Sequence, residues 1–81
     1  MNNVEINLTS DKLTVVHDLR EIRVFYDGKL SKRVMRDGFA DLICYDGYSY
    51  SFVGAEESAS ISGRDVCFLK FFPWGQNVTS M

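Results

Sequence analysis

Side chains able to carry out chemistry are few in this chain. A typical hydrolase pairs a serine or cysteine nucleophile with a nearby base, and His17 is the sole histidine. Neither Cys44 nor Cys67 has a charged neighbour in sequence that would activate its thiol. The one adjacent pair of carboxylates, Glu56-Glu57, lies in a polar stretch that we expect to be solvated. We therefore expect the protein not to be an enzyme.

The sequence also offers little to hold a metal or a cofactor. Two cysteines and one histidine cannot complete a four-ligand zinc site without carboxylates, and neither of the common glycine-rich phosphate loops is present. Cys44 and Cys67 each lie in an apolar run, which predicts two buried thiols. A disulfide between neighbouring strands is the alternative, and a reducing cytoplasm argues against it. We expect no cofactor and no metal.

Cationic side chains are concentrated in residues 20–36, which hold six cations and two acids, although the whole chain carries a net charge of −2. If this segment is a hairpin, two of its arginines share a face and could engage phosphates or carboxylates. A tyrosine at its tip would suit base stacking. The alternative is a solvated ribbon whose charges discourage edge aggregation. The candidate partner-binding residues here are Arg23, Tyr26, Lys29, Arg33 and Arg36.

A second candidate surface is the aromatic end of the chain, with Phe71, Phe72 and Trp74. Successive residues on a strand point to opposite faces, so Phe71 and Phe72 cannot both enter one core. Aromatic residues and arginine are the types that anchor protein interfaces. The alternative is that these rings plug one end of a small barrel.

Three Asp-Gly pairs, at 27–28, 37–38 and 46–47, predict tight turns between strands, because glycine readily adopts a positive φ. Their spacing is typical of an antiparallel meander. The pattern of apolar residues favours three-residue loops at 26–28 and 45–47, since that register gathers them on one face. It pairs Val24 with Leu30, Ile22 with Lys32, Cys44 with Tyr48, Leu42 with Tyr50 and Ala40 with Phe52, and it puts Arg23 and Arg33 on the other face.

The remaining segments complete a mainly β fold. Val4, Ile6 and Leu8 alternate with polar residues and predict a half-buried strand. A last strand over residues 65–72 is apolar on both faces, which predicts an interior position, and Pro73 ends it. We expect one domain over residues 1–81, with residues 75–81 frayed. It is an antiparallel meander of five to seven short strands forming a small barrel or a strongly bent sheet. The alternative is an α+β domain with a helix at residues 10–20.

We expect a non-catalytic protein-binding module, such as a small inhibitor, adaptor or immunity-type protein acting on a larger macromolecular partner. Proteins of this kind are common in bacteriophage and other mobile elements. The alternative is a small nucleic-acid-binding β-barrel that uses the basic hairpin 20–36. No apolar stretch approaches the ~20 residues that span a bilayer, and the N-terminus lacks the features of a signal peptide. We therefore expect no membrane association and a cytoplasmic location. Pairing with a second copy of the chain is one way to cover an exposed sheet edge.

Overall fold

The computed structural model describes residues 2–73, which form one antiparallel sheet of six strands. The strands are β1 (Asn2–Leu8), β2 (Leu13–Tyr26), β3 (Lys29–Val34), β4 (Tyr48–Gly54), β5 (Ser58–Ser62) and β6 (Val66–Pro73). Two short 3-10 helices, η1 (Arg36–Asp41) and η2 (Gly63–Asp65), lie between them. The expected mainly β class is confirmed. The alternative helix at residues 10–20 is wrong, because the β-branched run at 14–16 belongs to β2.

The sheet is strongly bent. Its strand order is β5-β4-β2-β1-β6. The sixth strand, β3, pairs with β2 and is not part of this order. In a flat sheet β5 and β6 would lie roughly 19 Å apart. Only η2 joins them, and the chain from Ser62 to Val66 reaches about 14 Å at most. The sheet must therefore curl to bring its two outer strands together. Within residues 2–73 these strands are not hydrogen-bonded to each other, so the sheet does not close into a barrel.

The long strand β2 bends at Asp18. Between its pairs with Val4 and Asn2, β2 contains one residue more than β1. Asp18 takes a left-handed conformation there, with a φ of 52°, which aspartate tolerates better than most residues. Its backbone N–H donates to Oδ1 of the buried Asn3 at 2.9 Å. The bend allows the first half of β2 to pair with β1, while the second half pairs with β3 and β4.

The core lies on the inner side of this bend. Phe39 of η1 is buried there, and its ring stacks on Phe71 of β6 with centroids 5.8 Å apart. Phe39 and Leu42 are three residues apart, so a 3-10 turn presents both to the core. The buried hydrophobic residues are Val4, Ile6, Val16, Leu19, Ile22, Val24, Phe39, Tyr50 and Phe52.

The first hairpin differs from its predicted register. Its loop is the two-residue Asp27-Gly28, with φ values of 54° and 78°. Such a turn matches the twist of the strands that it joins. The extra residue is Ser31 of β3, which forms a bulge. Val24 consequently pairs with Lys32 rather than with Leu30. The three-residue loop is wrong because the bulge lies within the strand instead of in the turn.

The predicted second hairpin is also wrong. Residues 40–44 form no strand, since Ala40 and Asp41 belong to η1 and residues 42–44 lead into a turn. In that turn the Tyr48 N–H donates to the Tyr45 carbonyl at 3.2 Å, and Gly47 has a φ of 95°. The predicted pairings of Ala40, Leu42 and Cys44 with β4 therefore do not form, and β4 pairs with β2 and β5. A 3-10 turn buries Phe39 and Leu42, which are three residues apart, whereas a strand would bury every second residue.

The last strand is present as predicted, but it is not an interior strand. Among residues 2–73, β6 pairs with β1 alone. Cys67 is exposed and Phe68 is 54% exposed, so this part of the strand is not buried. The predicted burial of Cys67 is therefore wrong, whereas Cys44 is half-buried. Trp74 and the predicted frayed tail 75–81 lie outside the described residues.

Candidate binding groove

An open groove lies on the inner side of the sheet, between β3 and the connection over residues 35–45. Its volume is about 670 Å³. β2 and β4 line it with Val24, Tyr48 and Tyr50, and the connection lines it with Met35 and Ile43. Phe39 is buried in the core next to this region, whereas the stretch beside β3 stays open. The groove is thus an uncovered continuation of the core face.

The large side chains on the connection face solvent. Ile43 is 61% exposed, Tyr45 57% and Met35 54%, and all three line the groove. Single exposed apolar residues are normal on proteins, whereas a contiguous group marks a site for a ligand or partner. Covering such surface is favourable by about 25 cal/mol per Å². This wall of the groove therefore gains from a partner that excludes water.

Three tyrosines cluster where the groove meets the tip of the first hairpin. Tyr26 faces Tyr48 across β2 and β4, with ring centroids 4.9 Å apart. Tyr45 and Tyr48 have centroids 6.2 Å apart. Both distances are within the range of favourable aromatic pairs. Lys29 lies directly opposite Tyr26 on β3, so two of the predicted partner-binding residues lie together at this end.

Hydrogen bonds from Tyr50 hold the connection in place. The Tyr50 hydroxyl accepts from the Tyr45 N–H at 2.8 Å and donates to the Ile43 carbonyl at 3.3 Å. Burial raises the pKa of Tyr50, which keeps this hydroxyl protonated. The connection also lies against Gly63, where an added Cβ would be 1.9 Å from the Tyr45 carbonyl oxygen. The wall that carries Ile43 and Tyr45 is therefore anchored at its backbone.

Charges of both signs surround the apolar part of the groove. Lys32 pairs with the buried Val24, which places it on the inner face. Lys32 lines the groove on the β3 side, and Asp37 and Asp41 line it on the opposite side. An apolar centre with a charged rim is the usual anatomy of a protein interface.

Two of the predicted arginines face each other on the outer side of the sheet. Arg23 and Arg33 are directly opposite on β2 and β3, so their predicted shared face is confirmed. Like charges in this position repel, and Arg23 contacts Glu21 with Nε 2.5 Å from Oε2. Arg36 is the first residue of η1, one position after Met35. The structure thus divides the predicted basic residues between two faces of the sheet.

The predicted aromatic end is separate from the groove. Phe71 is half-buried against Phe39, and Phe72 is half-buried next to it on β6. Neither lines the groove. Phe71 therefore belongs to the core, whereas Phe72, its neighbour on the strand, points to the other face. Trp74 lies outside the described residues.

The sequence prediction missed the residues that make the groove, namely Met35, Ile43 and Tyr45. The prediction treated residues 40–44 as a strand, which would have paired Leu42 and Cys44 with β4. The available hint was the spacing of Phe39 and Leu42, which suits a 3-10 turn better than a strand.

The titratable groups favour no nucleophile near the groove. Burial raises the pKa of Cys44 to about 11, which disfavours the reactive thiolate. Cys44 and Cys67 are both free, and they line one shallow depression of about 290 Å³. Among residues 2–73, no three His, Cys, Asp or Glu side chains group closely enough to hold a metal ion.

Comparisons with family models, curated proteins and solved structures find no match to this chain. No helix within the described residues has the length and apolar character needed to cross a bilayer.

Proposed function

We propose that the chain is a non-catalytic protein-binding module that holds a segment of a larger partner in the groove between β3 and residues 35–45. Acting as an inhibitor, adaptor or immunity-type protein needs only such a surface. The observation that carries the proposal is the convergence of exposed Met35, Ile43 and Tyr45 on one groove with an anchored wall. We further propose that it acts in the cytoplasm, in keeping with its two free cysteines.

A protein partner suits the rim better than a nucleic acid does. Asp37 and Asp41 line the groove, and they would repel a phosphate backbone. A nucleic-acid-binding β-domain remains the second candidate, because Tyr26 and Lys29 lie together at the hairpin tip. Tyrosine beside a cation is a common way to stack a single-stranded base.

Affinity capture with a groove variant and a matched surface variant tests the proposal. Ile43→Asp places a charge on the apolar wall. Leu13→Asp introduces the same charge on β2, outside the groove, at a site that is 54% exposed against 61% for Ile43. From a nuclease-treated lysate of the source cells, we expect wild type and Leu13→Asp to capture the same protein. Ile43→Asp should bind it at least tenfold more weakly, a loss of about 1.4 kcal/mol or more.

Equal capture by both variants would overturn the proposal. Capture that disappears after nuclease treatment, and whose affinity falls steeply with salt, would favour the nucleic-acid candidate instead.

A further inference from the structure

Three strands pair with only one other strand within residues 2–73: β3, β5 and β6. Natural sheets protect such edges with charges, prolines and bulges, because an open edge pairs with other chains. β3 carries three cations and the Ser31 bulge. β6 carries Lys70, ends at Pro73 and has a register shift against β1. Two of the three edges are therefore protected.

The β5 edge has none of these features. Its sequence, Ser58-Ala59-Ser60-Ile61-Ser62, contains no charge and no proline. It pairs with β4 over all five residues without a register shift. A depression of about 390 Å³ lies between Ser60, Ile61 and Ser62 and the turn after β1, and no strand among residues 2–73 fills it.

The side chains of β5 are arranged symmetrically about Ser60. Ala59 and Ile61 pack against the core, whereas Ser60 is exposed and pairs with Ser51 on the outer face. If a second β5 lies antiparallel to the first and is centred on Ser60, Ala59 of one copy faces Ile61 of the other. The serines then face serines on the outer side. Apolar residues meet apolar residues and hydroxyls meet hydroxyls, as stable cross-strand pairs require.

Charge at the two ends of β5 agrees with this arrangement. The turn before β5 carries Glu56 and Glu57, and η2 after it carries Arg64. In an antiparallel pair the start of one β5 lies beside the end of the other. Glu56 would then come next to Arg64 of the second copy. Arg64 already contacts Asp46 at 3.3 Å, but both side chains are largely exposed, and such contacts contribute little.

We infer that β5 is a self-association edge, through which two copies join their sheets into one antiparallel sheet with Ser60 on the two-fold axis. A two-fold contact uses the same patch on both copies. This inference does not depend on the groove, which lies between β3 and residues 35–45.

Sedimentation equilibrium of two lysine variants tests this dimer. Ser60→Lys places two ammonium groups opposite each other on the axis, while Ser31→Lys adds the same charge at the exposed bulge of β3. We expect wild type and Ser31→Lys to form a dimer with the same dissociation constant. Ser60→Lys should weaken the dimer at least tenfold and keep the circular dichroism of the fold. A wild type that is monomeric or larger than a dimer, or a dimer that Ser60→Lys leaves unchanged, would overturn the inference.

Disulfide trapping checks the register without relying on repulsion. Directly opposed residues in an antiparallel pair have Cα atoms about 4.5–5.5 Å apart, a distance that disulfides can span. In a Cys67→Ser background, Ser60→Cys should therefore yield a disulfide-linked dimer on mild oxidation. Ser58→Cys should yield little, because it would face Ser62 of the second copy. Equal trapping at both positions, or none at Ser60→Cys, would contradict the proposed axis.

Discussion

Tyr50 has two roles, one carried by its ring and the other by its hydroxyl group. Its ring is buried in the core, and its hydroxyl bonds to the backbone of residues 43 and 45. The ring stabilises the sheet, while the hydroxyl fixes the wall of the groove. Packing and site geometry are thus linked through one residue.

Tyr50→Phe separates these roles, because it keeps the ring and removes both hydrogen bonds. We expect a loss of about 1 kcal/mol in the free energy of unfolding, as is usual for hydrogen bonds of this kind. Urea denaturation measures it. Tyr48→Phe, the same change two residues earlier on β4, should cost less. An equal loss in the two variants would mean that the Tyr50 hydroxyl does not anchor the connection.

At the residue scale, the sequence predicted the hairpin tip but not the groove. Tyr26 was expected at the tip because the Asp27-Gly28 pair marks the turn, and it lies there opposite Lys29. Ile43 and Tyr45 had no such marker. Their exposure depends on how residues 36–41 turn inward to bury Phe39, which is a tertiary effect.

At the scale of elements, β2 shows what a period of two can and cannot predict. Its buried positions are Val16, Leu19, Ile22 and Val24, spaced by three, three and two residues. Two of these steps break strand alternation, and each coincides with a register shift against a neighbouring strand. The strand itself was predictable from its β-branched residues. Its bulges could have been predicted only if each break in the alternation of apolar and polar residues had been taken to indicate a bulge.

The turn between β4 and β5 is tied to β2 by a hydrogen bond from the Ala55 N–H to the Asp18 carbonyl and by the carboxylate of Glu57. Oε2 of Glu57 accepts from the His17 N–H at 2.7 Å and lies 2.8 Å from its Nδ1. These hydrogen bonds lower the pKa of Glu57 below its ordinary value of 4.5, and the bond from the His17 backbone has the larger effect. A carboxylate with a lowered folded-state pKa stabilises the fold above its unfolded pKa, and this stabilisation is lost as the pH falls through the folded value.

Glu57→Gln should therefore destabilise the protein at neutral pH, and its difference from wild type should shrink below about pH 4.5. Thermal unfolding across this pH range measures the effect. Glu56→Gln removes a charge from the same turn and serves as the control. If the difference between Glu57→Gln and wild type does not change with pH, the carboxylate does not help to tie this turn to β2.

At the scale of the whole molecule, the bend of the sheet creates both proposed surfaces. The short connection η2 draws the end of β5 towards β6 and places the β5 edge beside the turn after β1. The same bend folds the inner face around Phe39 and leaves the stretch beside β3 uncovered. Sequence patterns predicted most of the strands and the bent sheet, although they did not predict β5. They could not predict the groove, because it depends on which part of the inner face η1 covers.

Site-specific photo-crosslinking tests the central claim, that the groove binds a protein partner. A benzophenone amino acid replaces Ile43 in one version of the chain and Leu13 in another, and both are irradiated in source cells. We expect the version substituted at residue 43 to give one predominant protein adduct that is resistant to nuclease and absent from the version substituted at residue 13. The same adducts from both positions, or only nucleic-acid adducts at residue 43, would contradict the account.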